Sequence, residues 1–408
     1  MDPSQVLNIM RDPAGIPASP RLFQLLMVLT WALHIAFVHL ALGACALAIY
    51  AFHRRAAGPF WERLSMAMTQ VAKISISLLI VLGVAPLLFT QTIYDPQWYA
   101  SNVLSARWAI IFIFSLIVGY SLWFAFYYAN HKGAKRYIGV YAWVAFGLFC
   151  MDGLIMHVLS YQALLPGHWM HWYAPGGVVD TRGAALHAIQ WPRYLFIMSL
   201  SLPAIGVFLP AYARYFSVRA GYDADYLDFV RSLGRRLALS GYAIAIVLFL
   251  AWQAVLPTAT GLALHPVGWL LEASLLGMLI WVWRAGGLPN GYAFLAGNAG
   301  VLALLATWRE IIRVHYLLPF NYNISTYKVH ADHPSTFLFF ATLLGIGGGL
   351  GGFYLTLLYR AGRVNGVYTA DRTVSLLGTA AVAISVLWTA VFLLYGIVIW
   401  LQNSYPLH

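Results

Sequence analysis

Ten apolar stretches, each long enough to cross a lipid bilayer, constrain this chain more than any other feature of its sequence. About 20 apolar residues in an α-helix cross a hydrocarbon core that is about 30 Å thick. Because a backbone inside lipid must satisfy its own hydrogen bonds, repeated spans predict helices. We therefore predict an all-α polytopic transmembrane helical bundle. Its spans are 21–51, 65–91, 106–130, 137–162, 191–216, 237–256, 266–284, 290–317, 335–360 and 373–402.

The composition excludes an ordinary soluble protein. Of the 408 residues, 61% are hydrophobic and only 9% are charged, so too few polar residues remain to cover a water-exposed surface. The sequence has no internal repeat, low-complexity tract or linker. We therefore predict a single membrane domain over residues 1–408.

The loop charges predict the orientation of the chain. Alternate connections carry fifteen Lys and Arg residues on one side of the bundle and eight on the other. The positive-inside rule places the richer side in the cytoplasm, so both termini are expected in the periplasm of a bacterium, with the protein in its cytoplasmic membrane. The net charge of +11 follows these topology signals, and we expect no nucleic-acid partner.

Histidines gather in the outer half of the predicted bundle. The stretch LHIAFVHLALG places His34 and His39 inside the first span, and His157, His187 and His315 lie towards the outer ends of later spans. A b-type haem takes imidazole or thioether ligands from facing helices. The alternative, in which these rings are neutral groups that hydrogen-bond to neighbouring helices, remains open.

Charged residues accompany these histidines. Arg193, Arg309 and Arg313 are predicted near the outer interface, where they could bind haem propionates. Lys73 and Asp152 lie inside predicted spans, where a lone charge is costly and often functional. They could form an ion pair with each other or serve as a proton path, and both alternatives remain open.

The order of motifs resembles the large, haem-bearing subunit of cytochrome bd quinol oxidases. That family has Y-H-F-L-F-V-P-L-T-L-G in its first helix, and LHIAFVHLALG fits it in register, with His34 on the ligand histidine. The segment GVAPLLFTQTIYDPQW matches the length of its G-V-A-T-G-L-T-M-E-F-Q-F-G-T-N-W motif, with Gln91 on the glutamate. ALHAIQWPRY places His187 on the histidine of the low-spin haem.

The resemblance implies two or more b haems and quinol as the substrate. It implies that residues 21–360 form a bd-like helical core, with 373–402 as an additional span. Met278 is the thioether nearest to the position of the family's methionine ligand. The expected haem-iron ligands are His34, His187, His157 and His39, with Met278 and His315 as further cofactor-binding residues. The candidate catalytic residues are Lys73, Asp152 and Gln91.

Three departures from the family pattern change the expected chemistry. The third span, 106–130, contains no Asp or Glu, whereas the oxygen-reducing haems of the family depend on glutamates there. The G-R-Q-P-W signature is missing, and the long outer loop of the quinol site is reduced to PTATGLALH. The additional histidines favour electron-carrying haems over an oxygen-binding haem.

We therefore expect a membrane cytochrome b that oxidises quinol from the membrane pool. Its expected electron acceptor is a periplasmic c-type cytochrome or another redox subunit, and a second membrane subunit is a further expected partner. A divergent bd-type terminal oxidase is one alternative. A haem-free transporter or quinone-binding membrane anchor, with Lys73 and Asp152 in proton or substrate transfer, is another.

Overall fold

The computed structural model describes residues 3–133, 136–286 and 291–404, which form helices and connecting turns without a β-strand. Ten helices in this part of the chain are long and apolar enough to cross a membrane. They are α1 (Pro20–Arg54), α2 (Pro59–Ile93), α3 (Ala106–His131), α4 (Gly139–Gln162), α5 (Trp191–Phe216), α6 (Ala224–Ala254), α7 (Pro266–Arg284), α8 (Gly291–Leu317), α9 (His333–Ala361) and α10 (Arg372–Ser404). The predicted all-α polytopic bundle is confirmed, and the chain is a multi-pass membrane protein.

In the described residues, three short α-helices, Pro3–Ile9, Asp95–Leu104 and Trp169–Tyr173, lie outside the spans. The predicted orientation of the termini stays a prediction. Two positions of these predictions lie outside the described residues. They are Lys135, one of the fifteen cations on the predicted cytoplasmic side, and residue 290, where the eighth span was predicted to begin.

The largest difference from the predicted boundaries is at α6, which begins at Ala224 rather than at residue 237. The added segment is too polar for a hydropathy window, but its buried residues recur with helical spacing at Tyr226, Val230 and Gly234. Apolarity marks only the part of a helix that lies in hydrocarbon, and this helix extends beyond that part.

Contacts divide the chain into two compact units. The first contains Met1–Arg214 and Ala224–Lys328, and the second contains Tyr215–Asp223 and Val329–His408. The predicted single membrane domain is not tested by this division and stays a prediction.

In the first unit, α1 to α4 pack in a ring, because each contacts the next and α4 returns to α1. Helices α5 to α8 pack in sequence, and α8 also contacts α1. Gly43 of α1 permits a close approach to α5, since a side chain there would strike the carbonyl of Ser201. Helix α1 is therefore packed against both groups of helices.

A break in α5 has a proline as its cause. Its helical segments are Trp191–Ser199 and Ser201–Phe216, and Pro203 lies four residues after Ser199. A proline ring has no N–H to donate to the carbonyl four residues earlier and clashes with it. The break lies about two helical turns beyond Arg193.

The second unit contains α9 and α10. Helix α9 has π-helical geometry over Ala341–Leu350, the glycine-rich stretch. Gly349 lies against the Ile384 side chain of α10, while Gly348 has open space around it. The glycines of this stretch therefore provide a helix–helix contact at some positions only.

Candidate functional site

The most unusual feature of the first unit is a group of buried and partly buried charges on α5 and α8. Arg193 comes from α5, and Arg309, Glu310 and Arg313 come from little more than one turn of α8. Arg193, Glu310 and Arg313 are each less than a tenth exposed. We call these four residues the arginine cluster; it contains three cations and one carboxylate.

Both carboxylate oxygens of Glu310 contact neighbouring side chains. Its Oε2 lies 3.1 Å from Nη1 of Arg313, and its Oε1 accepts hydrogen bonds from Gln24 at 2.8 Å and from the Tyr94 hydroxyl at 2.5 Å. The Arg313 guanidinium also lies 4.5 Å from the centre of the Tyr94 ring. Glu310 therefore neutralises Arg313, and the charges of Arg193 and Arg309 are not neutralised by this carboxylate.

Arg193 and Arg309 have no carboxylate partner in the described part of the chain. Arg193 donates from Nη2 to the Ser160 hydroxyl at 3.2 Å, and its buried Nη1 has no hydrogen-bond partner. The Arg309 guanidinium stacks on Trp31, 4.6 Å from the ring centre. Burying an uncompensated cation is costly, so this arrangement favours an anionic ligand.

A small cavity separates these guanidinium groups. It has a volume of about 10 Å³, and Arg193, Arg309 and Arg313 line it together with Trp252 and Ile312. This volume accommodates about one water molecule, whereas pockets for drug-sized ligands measure about 300–1,000 Å³. A ligand larger than water must therefore move apolar side chains of the lining.

His34 lies on the face of α1 that meets α2. Its Nδ1 is 3.0 Å from the carbonyl oxygen of Leu79, so Nδ1 carries the proton and donates, and Nε2 keeps its lone pair. The ring packs against Gly83, where an added Cβ would come within 2.9 Å of it. Arg309 is close enough to act on the ring electrostatically.

His39 and His157 have different environments. His39 is completely buried, and although the Ile197 backbone lies beside it, neither ring nitrogen makes a hydrogen bond of ordinary geometry in the described residues. His157 accepts a hydrogen bond at Nε2 from the Gln190 backbone N–H at 3.1 Å. The lone pair of His157 is therefore occupied, and that of His39 is not.

His187 and Met278 do not lie together. His187 stacks on Trp172, with ring centres 5.2 Å apart, and its Nε2 lies 3.3 Å from the Leu104 carbonyl oxygen. Met278 is buried in the apolar core of α5 to α8, with its sulfur against Gly297. Their predicted roles as ligands stay predictions.

The candidate catalytic residues are also separate. The Lys73 ammonium lies 3.7 Å from the centre of the Tyr127 ring, while Asp152 accepts a short hydrogen bond from the Ser115 hydroxyl. Lys73 and Asp152 therefore do not form an ion pair in this structure. Gln91 of α2 is partly buried and makes no hydrogen bond through its side chain in the described residues.

Sequence reasoning named His315 as a cofactor-binding residue, a role that stays a prediction, but missed its neighbour His265 and the open groove between α1 and α8 that both residues line. The volume of this groove is about 430 Å³. The ring centres of His265 and His315 are 5.5 Å apart, with the ring planes nearly perpendicular. The sequence positions of the two histidines could have predicted this pair. His265 immediately precedes α7 and His315 lies in the last turn of α8, and these two helix ends meet when α7 and α8 are antiparallel neighbours.

A network of phenols and a carboxylate lies outside the spans, beside the arginine cluster. Tyr327 donates a short hydrogen bond to Asp95, and the hydroxyls of Tyr322 and Tyr327 are 2.6 Å apart. Arg11 lies over both rings, at 4.3 and 4.4 Å from their centres. The backbone N–H of Asp12 donates to Asp95 at 2.7 Å. The N-terminal segment is therefore fastened to the bundle here.

Burial sets the protonation of this network. It raises the pKa of Tyr94, and the nearby Glu310 carboxylate raises it further. Burial likewise raises the pKa of Tyr322 and of Tyr327, so these phenols remain protonated donors at neutral pH. The pKa of Asp95 is also raised by burial, against the lowering effect of the Tyr327 hydrogen bond.

The resemblance implies a haem b, and the donor set can be compared with that requirement. A ligating histidine commonly donates one ring N–H to a carbonyl and keeps the other nitrogen free, which is the state of His34. Arg193 and Arg309 offer unpaired cations for carboxylates. These residues therefore fit a haem b: His34 offers an imidazole ligand for the iron, and Arg193 and Arg309 offer cations for the propionates. His157 would have to release the Gln190 N–H from its Nε2 before that nitrogen could bind iron, and its predicted role as a ligand stays a prediction.

No family model matches the chain, and no curated protein matches it either. The resemblance to the cytochrome bd family therefore rests on the motifs around His34 and Gln91.

Proposed function

We propose that the protein is a b-type membrane cytochrome of a bacterial cytoplasmic membrane, where it oxidises quinol and passes electrons to a periplasmic redox partner. The cations of Arg193, which is buried, and of Arg309, which is partly buried, carry this proposal, because neither forms an ion pair with a carboxylate in the described residues. Two cations without a carboxylate are expensive to keep in a bundle unless an anionic ligand neutralises them. Haem propionates are anions of suitable chemistry for this position.

His34 would hold the iron through Nε2. The Leu79 carbonyl fixes the ring orientation through Nδ1–H, and Gly83 leaves room for the ring beside α2. A bound haem b supplies reversible one-electron transfer. Arg193 and Arg309 would bind the propionates, and Arg313 would remain paired with Glu310.

The substrate and acceptor follow from the chemistry of a quinol. Its oxidation releases two protons and two electrons, and the electrons need acceptors that take them singly. A c-type cytochrome on the periplasmic side meets this need and agrees with the predicted orientation of the chain. A second membrane subunit of the same complex remains a proposed partner.

Haem content measured by the pyridine haemochrome method tests the proposal. We expect the purified chain to contain haem b and His34→Ala to lose or alter its absorption bands. His131→Ala is the matched control, because His131 makes the same kind of Nδ1 contact, 2.9 Å from the Tyr127 carbonyl, but is exposed. A colourless wild-type protein, or identical spectra for all three proteins, would contradict the proposal.

The groove that contains His265 and His315 favours a second candidate function, a quinone-binding membrane anchor without its own haem. The same preparation separates the two candidates. A colourless protein that binds a quinone would be the anchor, with the haem supplied by another subunit.

A further inference from the structure

The groove between α1 and α8 has the size of a small-molecule site. Its volume of about 430 Å³ falls within the range of about 300–1,000 Å³ that is usual for ligand pockets. Leu25 and Val28 of α1 and Ile311 and Val314 of α8 provide its apolar surface. Leu25 is 55% exposed, so an apolar ligand can enter from the lipid phase.

The polar side of the groove offers one hydrogen-bond donor and one acceptor on neighbouring rings. His265 accepts at Nδ1 from the backbone N–H of Val267 at 3.2 Å, so its proton is on Nε2. His315 lies with Nδ1 2.9 Å from the Ile311 carbonyl oxygen, so Nδ1 donates and Nε2 is an acceptor. The two ring centres are 5.5 Å apart.

Glu310 also lines the groove, but its carboxylate is held by Gln24, Tyr94 and Arg313. Because Arg313 neutralises this carboxylate and Arg21 also lines the groove, the wall has no net negative charge. The donor on His265 and the acceptor on His315 are therefore the groups that favour a neutral ligand with ring hydroxyls.

We propose that this groove binds the hydroxylated ring of a quinol, an inference that rests on the proposed quinol-dependent function. A ring hydroxyl donates to Nε2 of His315, and Nε2–H of His265 donates to a ring oxygen. The apolar tail of the quinol extends into lipid past Leu25. A phospholipid, the other ligand available from the membrane, lacks this hydroxylated ring, and competition by decylubiquinone in the experiment below distinguishes the two ligands.

Photoaffinity labelling with an azidoquinone tests the site directly. We expect labelled peptides from residues 21–28 and 307–315, with labelling reduced by an excess of decylubiquinone. Val28→Trp fills the groove without changing a charge and should reduce labelling at least about tenfold. Leu29→Trp is the matched control, because Leu29 is the next residue of α1, is 54% exposed and does not line the groove.

His315→Phe and His315→Gln examine the hydrogen bond separately. The phenylalanine variant should reduce labelling by roughly threefold to tenfold, and the glutamine variant, which retains an acceptor, should restore part of it. Wild-type labelling in Val28→Trp would overturn the proposal. So would labelling spread over all lipid-exposed helices without competition by decylubiquinone.

The haem content of each variant distinguishes the two proposals. Labelling in the groove of a colourless protein would refute the proposed cytochrome function and support the quinol site. A haem-containing protein that is not labelled in the groove would refute the quinol site alone.

Discussion

The two compact units of the chain place their polar atoms differently. In the first unit, Arg193, Glu310 and Arg313 are buried within the bundle. In the second unit, the most apolar 18-residue segments of α9 and of α10 contain no buried residue. The ion pair between Arg360 and Asp371 lies near the ends of these helices. Lipid solvates apolar faces without cost but not charges. The difference is the reason that the proposed site is assigned to the first unit.

Removing one carboxylate from each unit should give the largest difference in stability between the two units. Glu310→Ala leaves Arg313 as a third uncompensated buried cation and should lower the free energy of unfolding by about 3–5 kcal/mol. Asp371→Ala breaks a partly exposed pair and should cost at most about 1 kcal/mol. The midpoint of thermal unfolding in detergent measures both changes.

Glu310→Gln is the control for this experiment, since it retains the hydrogen bonds of the carboxylate while removing its charge. Its loss of stability should lie between those of wild type and Glu310→Ala. Equal effects of Glu310→Ala and Asp371→Ala would contradict the distinction between the two units.

A methyl group added to one glycine in each unit should have a smaller effect. Gly43→Ala places a Cβ against the Ser201 carbonyl and within 2.7 Å of the Ile205 Cβ, and should cost about 1–3 kcal/mol. Gly348→Ala meets open space and should stabilise its helix by about 0.5–1 kcal/mol. Unfolding midpoints that shift in the same direction by the same amount would contradict this prediction.

The smallest expected effect is an opposite response to pH at two aspartates. The raised pKa of Asp95 means that its stabilising contribution is lost as the pH rises from about 3.9 through the raised value. Asp332 of the second unit caps α9 by accepting from the Ser335 N–H, which lowers its pKa. The contribution of Asp332 is therefore lost as the pH falls below about 3.9.

The pH dependence of the thermal unfolding midpoint measures both effects, as the difference between wild type and each of the variants Asp95→Asn and Asp332→Asn. On acidification, the stabilising contribution of Asp95 should rise and that of Asp332 should fall. Hydrogen exchange at the Ser335 amide measures the second effect locally, because protonation of Asp332 weakens the hydrogen bond from that N–H. A change of the same sign for both aspartates would disagree with this account.

Much of the fold follows from the sequence because a membrane restricts the choice of structure. Length and apolarity locate the ten spans, and the missed start of α6 shows where that rule ends, since Tyr226 and Val230 are buried in a segment too polar for hydropathy. The motif of the first span also singled out His34, which has a free lone pair and a fixed ring.

The contacts of the site could not be predicted in the same way. Gln24 and Tyr94 lie 286 and 216 residues from Glu310 in the sequence, and no spacing rule links them. Only Arg313, three residues from Glu310 on the same helix, has a spacing that is typical of an ion pair, and the structure contains this pair. Local spacing therefore accounts for one partner of the carboxylate, while tertiary packing determines the others.

Anaerobic addition of a quinol to the purified, oxidised protein tests the central claim most directly, with the visible spectrum recorded before and after. The account predicts the reduced α-band of a b-type haem, formed in wild type and in His131→Ala and lost in His34→Ala. A protein without a Soret band, or a haem that dithionite reduces but quinol does not, would contradict the account.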